Sequence, residues 1–446
     1  MADATCSIDH RCSIRKLFMI RDRQGPCELV PVKSDVLAVL LLIAGSLALP
    51  VGAGERDDPL EVLCTGHASG MPLMGALLKR EPMTDAVVIP TRIGSANIDM
   101  TSDMVRRYMR LYFPRTYQDL TTKYEFMLLE QIDCFYFTPT QFEWMRRSIE
   151  EAGLGGLQDR SVMSMHLHLS SSWAQSVLSD AFPNDADAVI STNYHRNGNM
   201  QVVLNEDPTL PDVVKAYKHV LVFDVGWWGN NLMIPKDGSE TYTWSKTDVF
   251  PEFSYPKPGF FPHILGWRYG KGYTWSVQDI LGASFWNEGV NPYGTDVMIA
   301  MMMYSTGRRL PDDVVMVHEL RSAFSRYAEM KAFIFSLMEF VDKFGANMAP
   351  LESKVFGMDE RWRDARSQYI AQDYAGSWEA MNGLLADISS LRDEALRLKD
   401  KALLWIYAIE WLCVSGTFLV AGFGVWTLMV KRRLYREIGS TKLAHA

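Results

Sequence analysis

Two histidines and three serines stand together at His166-Leu167-His168-Leu169-Ser170-Ser171-Ser172. Residues two apart on a strand share a face, so His166 and His168 offer two imidazoles to one metal or polar ligand. Two imidazoles do not close a metal site, and no carboxylate of ligand spacing joins them. Hydrogen-bonded loop histidines are the simpler reading, and neither a metal nor a cofactor is expected. Ser170–Ser172 with His168 as base would form a hydrolase pair, but the glycines that flank a serine nucleophile are missing. Cys64, followed by Thr65-Gly66-His67, sets a thiol beside a base. The third group is Gly226-Trp227-Trp228-Gly229-Asn230-Asn231, where the Trp227 and Trp228 faces and the Asn230 amide suit a sugar ring. A local aromatic core and a protein interface are the alternatives there.

The element that fixes where these residues work is a membrane span. Residues 402–430 carry one charge, Glu410, and run for roughly 40 Å, enough for a tilted crossing. Trp405, Tyr407 and Trp411 lie at one end and Trp426 at the other, the interfacial positions of amphipathic rings. Lys431, Arg432 and Arg433 follow directly, with Arg436 beyond, which predicts a cytoplasmic tail at 431–446 and everything before the span outside. Glu410 is costly against lipid, so it either pairs with a partner helix or lies near the outer interface. A shorter apolar run at residues 36–53 reads as a signal peptide or signal anchor. The 35 residues ahead of it hold Cys6, Cys12 and Cys27 and suggest a later start, for which Met19 would serve.

If that leader leaves, Cys64 and Cys134 are the only cysteines outside the bilayer. Each follows a strand-like run, so a Cys64–Cys134 disulfide and two buried free thiols are both open. The net charge of −8, with no basic stripe away from the membrane flank, argues against nucleic acid. The expected partners are the bilayer and a membrane or cell-surface protein met through the stalk or the span.

Along the chain, apolar runs alternate with amphipathic ones. Strands are expected at 60–64, 86–89, 124–129, 161–169, 187–205, 220–225 and 273–277, and helices at 71–79, 101–113, 138–153, 173–182 and 292–305. The alternation predicts a mainly parallel sheet covered on both faces. Tyr269-Gly270-Lys271-Gly272 reads as a turn between strands, not a phosphate loop. Residues 309–401 read as a helical stalk, with a long helix over 312–344, a break at Pro350, and a helical pair at 359–371 and 374–401.

The segment KYEFMLLEQIDCFYFTPTQFEWMRRSIEEAGLGG resembles the strand, loop and helix of class I glutamine-amidotransferase-like domains. So does PHILGWRYGKGYTWSVQDI with the helix ending YSTGRRLP, in the manner of exported, membrane-tethered members. The resemblance spans residues 55–308 and implies a flavodoxin-like three-layer α/β sandwich. The rear half is similar to uncharacterised archaeal membrane proteins. Glutamine hydrolysis in that family needs a G-x-C-x-G turn, which exposes the nucleophile, and a His-x-Glu pair. Neither occurs here, and the expected turn after residues 161–165 holds no cysteine. The sequence therefore predicts an exported, inactive amidotransferase-like domain that binds or scaffolds. The alternative is a cell-surface hydrolase rebuilt near Cys64 and His166.

Overall fold

Apolar runs become buried strands where helices cover both faces, and that is how the chain begins. The computed structural model describes residues 58–67, 74–92, 101–159, 173–185, 190–191, 199–226, 231–246, 258–282, 284–343 and 348–443. Strands β1 (Leu60–His67), β2 (Thr84–Arg92), β3 (Phe126–Glu130), β4 (Gly155–Asp159) and β11 (Gly272–Val277) run parallel in the order β2-β1-β3-β4-β11. Beyond β11 the sheet continues antiparallel through β10 (Phe260–Tyr269), β9 (Glu240–Lys246), β6 (Asn199–Leu204) and β7 (Asp224–Gly226), giving nine strands. Only β10 and β6 run against the common direction. A separate ribbon pairs β5 (Ile190–Ser191) with β8 (Asn231–Leu232).

Side chains alternate across the sheet with the strand period of two. Leu60, Val62 and Cys64 of β1 and Phe126 and Leu128 of β3 enter one core; Leu63, Met127 and Leu129 enter the other. The second face is covered by α2 (Ser102–Tyr112), α3 (Tyr117–Lys123) and α4 (Pro139–Arg147). Each begins where the sequence supplies a cap. Thr101 accepts from Met104 N, Thr116 from Asp119 N, and Thr138 forms a reciprocal box with Gln141 ahead of Pro139. The first face is covered by α1 (Met74–Leu78) and by α5 (Gly294–Ser305), whose residues 294–303 are all buried. From Val297 to Met303 the helix is apolar on every side, the mark of a core helix, while Asp296 in its first turn is held by ion pairs. β10 and β11 join through Gly270-Lys271, with Gly270 at φ +58°, as a two-residue hairpin needs.

Three long helices follow: α6 (Val314–Asp342), α7 (Ala349–Ile370) and α8 (Tyr374–Leu443). Pro350 sits in the first turn of α7 and Gln372, at φ +62°, turns α7 into α8. Met381, Leu384, Ile388, Leu391 and Ala395 of α8 are buried at alternating three- and four-residue steps, the seam of a coiled coil. Lys354–Glu394 at 2.7 Å and Arg361–Asp387 at 2.5 Å tie α7 to α8 in antiparallel register.

The sequence expects a spacer over 309–401, and the structure gives this segment a firmer hold. The core of the bundle is continuous with the core under the sheet. Tyr369 Oη donates to Glu81 Oε1 at 3.0 Å, and Arg366 reaches Pro82 O at 2.8 Å and Asp85 at 2.9 Å. Such contacts come from the start of α6 and the end of α7. Beyond Ala402, α8 leaves the bundle. Its apolar side chains from Leu404 to Val430, including Trp405 (61% exposed) and Trp411 (72%), are uncovered on all sides. The apolar stretch of α8 has a mean hydropathy of 1.8 and none of it is buried, so the helix is long and apolar enough to cross a membrane. Glu410 and Lys431–Arg433 lie on it as the sequence places them.

β4 is a strand the sequence pattern does not announce, because its Gly-Gly-Leu-Gln-Asp run lacks both apolar continuity and alternation. The Cys64–Cys134 bridge does not form, because Cys64 enters the core on one side of the sheet and Cys134 the core on the other. A sheet between two sulfurs prevents the short Cα separation a disulfide requires. The expected signal at 36–53 and the 161–169 strand lie outside the described residues.

Candidate site at the carboxyl ends of the parallel strands

Strand order reverses between β1 and β3, since β2 lies on one side of β1 and β3, β4 and β11 on the other. Loops leaving the two central strands part at such a point and open a crevice at their carboxyl ends, where α/β proteins hold ligands. The chain delivers Thr65 and Gly66 from β1, Glu130 and Gln131 from β3, Asp159 from β4 and Asp279 just past β11 to that edge. Antiparallel β10 brings His263 to the same edge, where Gln278 N donates to His263 O at 2.9 Å.

These groups are all buried, and most are engaged with the protein. Glu130 Oε2 accepts from Gly75 N at 3.3 Å, anchoring the start of α1. Asp159 accepts from Gln131 N at 2.9 Å and Leu281 N at 3.4 Å, so one carboxylate ties the loops after β3 and β11 to the end of β4. His263 Nδ1 lies 2.9 Å from Thr243 Oγ1 and Nε2 3.1 Å from Asp279 Oδ2, with the Phe285 ring edge-on at 5.1 Å. Two partners on two ring nitrogens fix the imidazole's orientation. Asp279 Oδ1 has no hydrogen-bond partner among the described residues although it is fully buried. With His263 and Asp279 both at 0% exposure, the pair is enclosed and reaches no substrate in this conformation.

Cys64 is a free thiol, 1% exposed, packed on Gly75 of α1. Burial pushes its pKa well up, and the nearby Glu130 and Asp159 carboxylates push the same way. Such a thiol stays protonated and is a poor nucleophile. Burial likewise raises Cys134 to about 12. The unfolded chain releases these protons near the ordinary thiol value, about 8.5, while the folded chain keeps them. Their contribution is whole below that pH and is lost as pH rises through the folded values. Cys64 and Cys134 are expected to resist iodoacetamide in the folded chain at pH 8 and to label fully in denaturant, read by peptide mass spectrometry. A Cys64–Cys134 disulfide peptide, or rapid native labelling of Cys64, would contradict this.

His166, His168, Trp227, Trp228 and Asn230 lie outside the described residues, so the structure does not bring them to the crevice or take them from it. Among the described residues no group of three His, Cys, Asp or Glu side chains could hold a metal. Glu130, Asp159, His263 and Asp279 were missed by sequence reasoning, yet a signal was there. Two of them are the acid at the end of an apolar strand run, FMLLE and YTWSVQD, whereas the GGLQD strand that carries Asp159 gives no such signal.

No family model matches the chain, and no curated protein does. Among solved structures it is similar to Cytoplasmic Protein STM1381 from Salmonella typhimurium LT2, at a TM-score of 0.35 and 13% identity over 55% of this chain and 97% of that one. It is also similar to Exo-beta-1,4-mannosidase Op5Man5 from Opitutaceae bacterium strain TAV5, at 0.27 and 12% over 63% of this chain and 40% of that one. Neither likeness is close enough to carry an argument about function.

Proposed function

We propose that this chain is a single-pass, membrane-anchored binding protein whose α/β body lies outside the cell and catalyses no glutamine hydrolysis. The observation that carries this reading is α8, which passes unbroken from a packed bundle seam into an apolar stretch with no covering side chain. Lys431, Arg432 and Arg433 behind the span favour a cytoplasmic carboxyl terminus, and the apolar run at 36–53 is read as the export signal. The parallel half of the sheet, in the order β2-β1-β3-β4-β11, supports a flavodoxin-like body, consistent with amidotransferase-like ancestry. Against catalysis stand the absent G-x-C-x-G turn and a Cys64 held as a buried thiol. A partner helix that pairs with Glu410 fits the same picture. The second reading is a surface hydrolase at the strand ends. It is favoured by one observation, the His263–Asp279 pair with its unpartnered Oδ1.

The test uses membranes from expressing cells. The full chain should stay in the pellet after alkaline carbonate washing, and a chain stopped after Lys401 should leave it. Protease added to intact cells should digest the body. Release of the full chain by carbonate, or a body spared by protease, would refute the anchor or its orientation respectively. Ammonia release from glutamine by the purified chain would refute the inactive reading.

A further inference from the structure

Where the body meets the bundle, a cleft of about 330 Å³ opens along α6. His318, Arg321, Ser322, Ser325 and Glu329 line it at the three- and four-residue steps of one helix face, joined by Arg326 and by Glu288 from the segment before α5. Its walls are held by the protein. His318 Nδ1 lies 2.8 Å from Asp296 Oδ2, and the His318 ring stacks on Tyr293 with centroids 4.1 Å apart. Arg321 spends Nε on Glu81 and Nη1 on Asp296. Thr295 Oγ1 donates to Glu288 Oε1 at 2.7 Å.

The remaining polar atoms describe a ligand. Arg321 Nη2 and the hydroxyls of Ser322 and Ser325 have no partner among the described residues. Arg326 has only Glu319 at 4.0 Å, an exposed pair at the limit of an ion pair. This surplus of donors calls for an oxyanion. The carboxylates of Glu288 and Glu329 on the same cleft oppose a dianion and suit a cationic group.

We infer that this cleft binds a small zwitterion of the α-amino-acid type. Its carboxylate lies against Arg326, Arg321 Nη2 and the two serine hydroxyls, and its ammonium against Glu329 and Glu288. This names a ligand class for the binding protein proposed above and so rests on that reading.

The test is calorimetric titration of the full chain in mild detergent with each of the twenty L-amino acids, and with acetate, methylammonium and inorganic phosphate. At least one amino acid should bind with a Kd of about 1 mM or tighter, and roughly tenfold tighter than acetate or methylammonium. Arg326→Gln and Glu329→Gln, both at exposed positions, should each weaken it roughly tenfold, whereas Glu329→Gln should leave acetate unchanged. Failure of all twenty to bind would overturn the inference. So would acetate or phosphate binding as well as any amino acid, or unaltered binding in the two variants. Carbonate extraction of the same preparation reports the anchor separately, so lost binding with retained membrane association rejects the ligand and not the anchored protein.

Discussion

Arg321→Met is expected to lower the folding stability of the chain by about 3–5 kcal/mol, because it strands two buried carboxylates. The Arg321 side chain is 12% exposed, with Asp296 at 1% and Glu81 at 2%, so water cannot take over the lost cation. Burial alone would disfavour the guanidinium charge, but Asp296 and Glu81 more than offset it and hold Arg321 well above its ordinary value. His318 on Asp296 and Tyr369 on Glu81 remain as partial compensation, which favours the lower half of the range. The three groups also join separate parts of the fold: Glu81 precedes β2, Asp296 opens α5, and Arg321 rides on α6. The loss should therefore appear as undocking of the bundle from the body as well as a lower denaturation midpoint. Urea titration of the detergent-solubilised chain measures it, and adding Glu81→Gln to Arg321→Met should return part of the loss. A change below about 1 kcal/mol would mean the carboxylates find other partners and that this junction does not depend on the arginine.

Gly66→Ala is expected to cost more than about 3 kcal/mol or to prevent folding, because there is no space for a methyl group. Gly66 has φ +147°, and a Cβ placed on it would lie 1.6 Å from Glu130 O, a backbone atom of the neighbouring strand. β1 and β3 pair at this point, Gly66 opposite Glu130, so relief requires parting the two central strands at the mouth of the crevice. Gly238→Ala is the control. It too has positive φ, +83°, but nothing lies within 4 Å of its Cβ, so only the dihedral penalty of about 1 kcal/mol should appear. Soluble yield and urea midpoint of the two variants, side by side, separate steric from conformational cost. Equal effects would show that β1 and β3 part at Gly66 more easily than their pairing implies.

Much of the frame was legible because local rules acted alone. Thr101 and Thr138 begin their helices where capping chemistry says they must, and Tyr374 opens the last helix where the pattern places it. The apolar stretch of α8 needs no partner to be read, since its length and uniform hydropathy are properties of the chain. The crevice was less legible. Glu130, Asp159 and Asp279 look like ordinary strand-end acids until β3, β4 and β11 lie side by side, and His263 reaches them only because β10 turns back antiparallel. Cys64 and Cys134 have similar local settings, and only the sheet between them rules out a bridge. Arg321 resembles any surface arginine of an amphipathic helix until α5 and β2 surround it with acids.

The sequence by itself determined the α/β alternation, the starts of most helices and the long apolar stretch of α8, because each depends on residues within a few turns of one another. Tertiary structure alone decided the continuation of the sheet into an antiparallel half, the docking of the bundle, the opposite faces of the two cysteines and the cleft along α6. Those depend on which faces meet across tens to hundreds of residues, where packing and the pairing of buried charge select one arrangement among many that local preference permits.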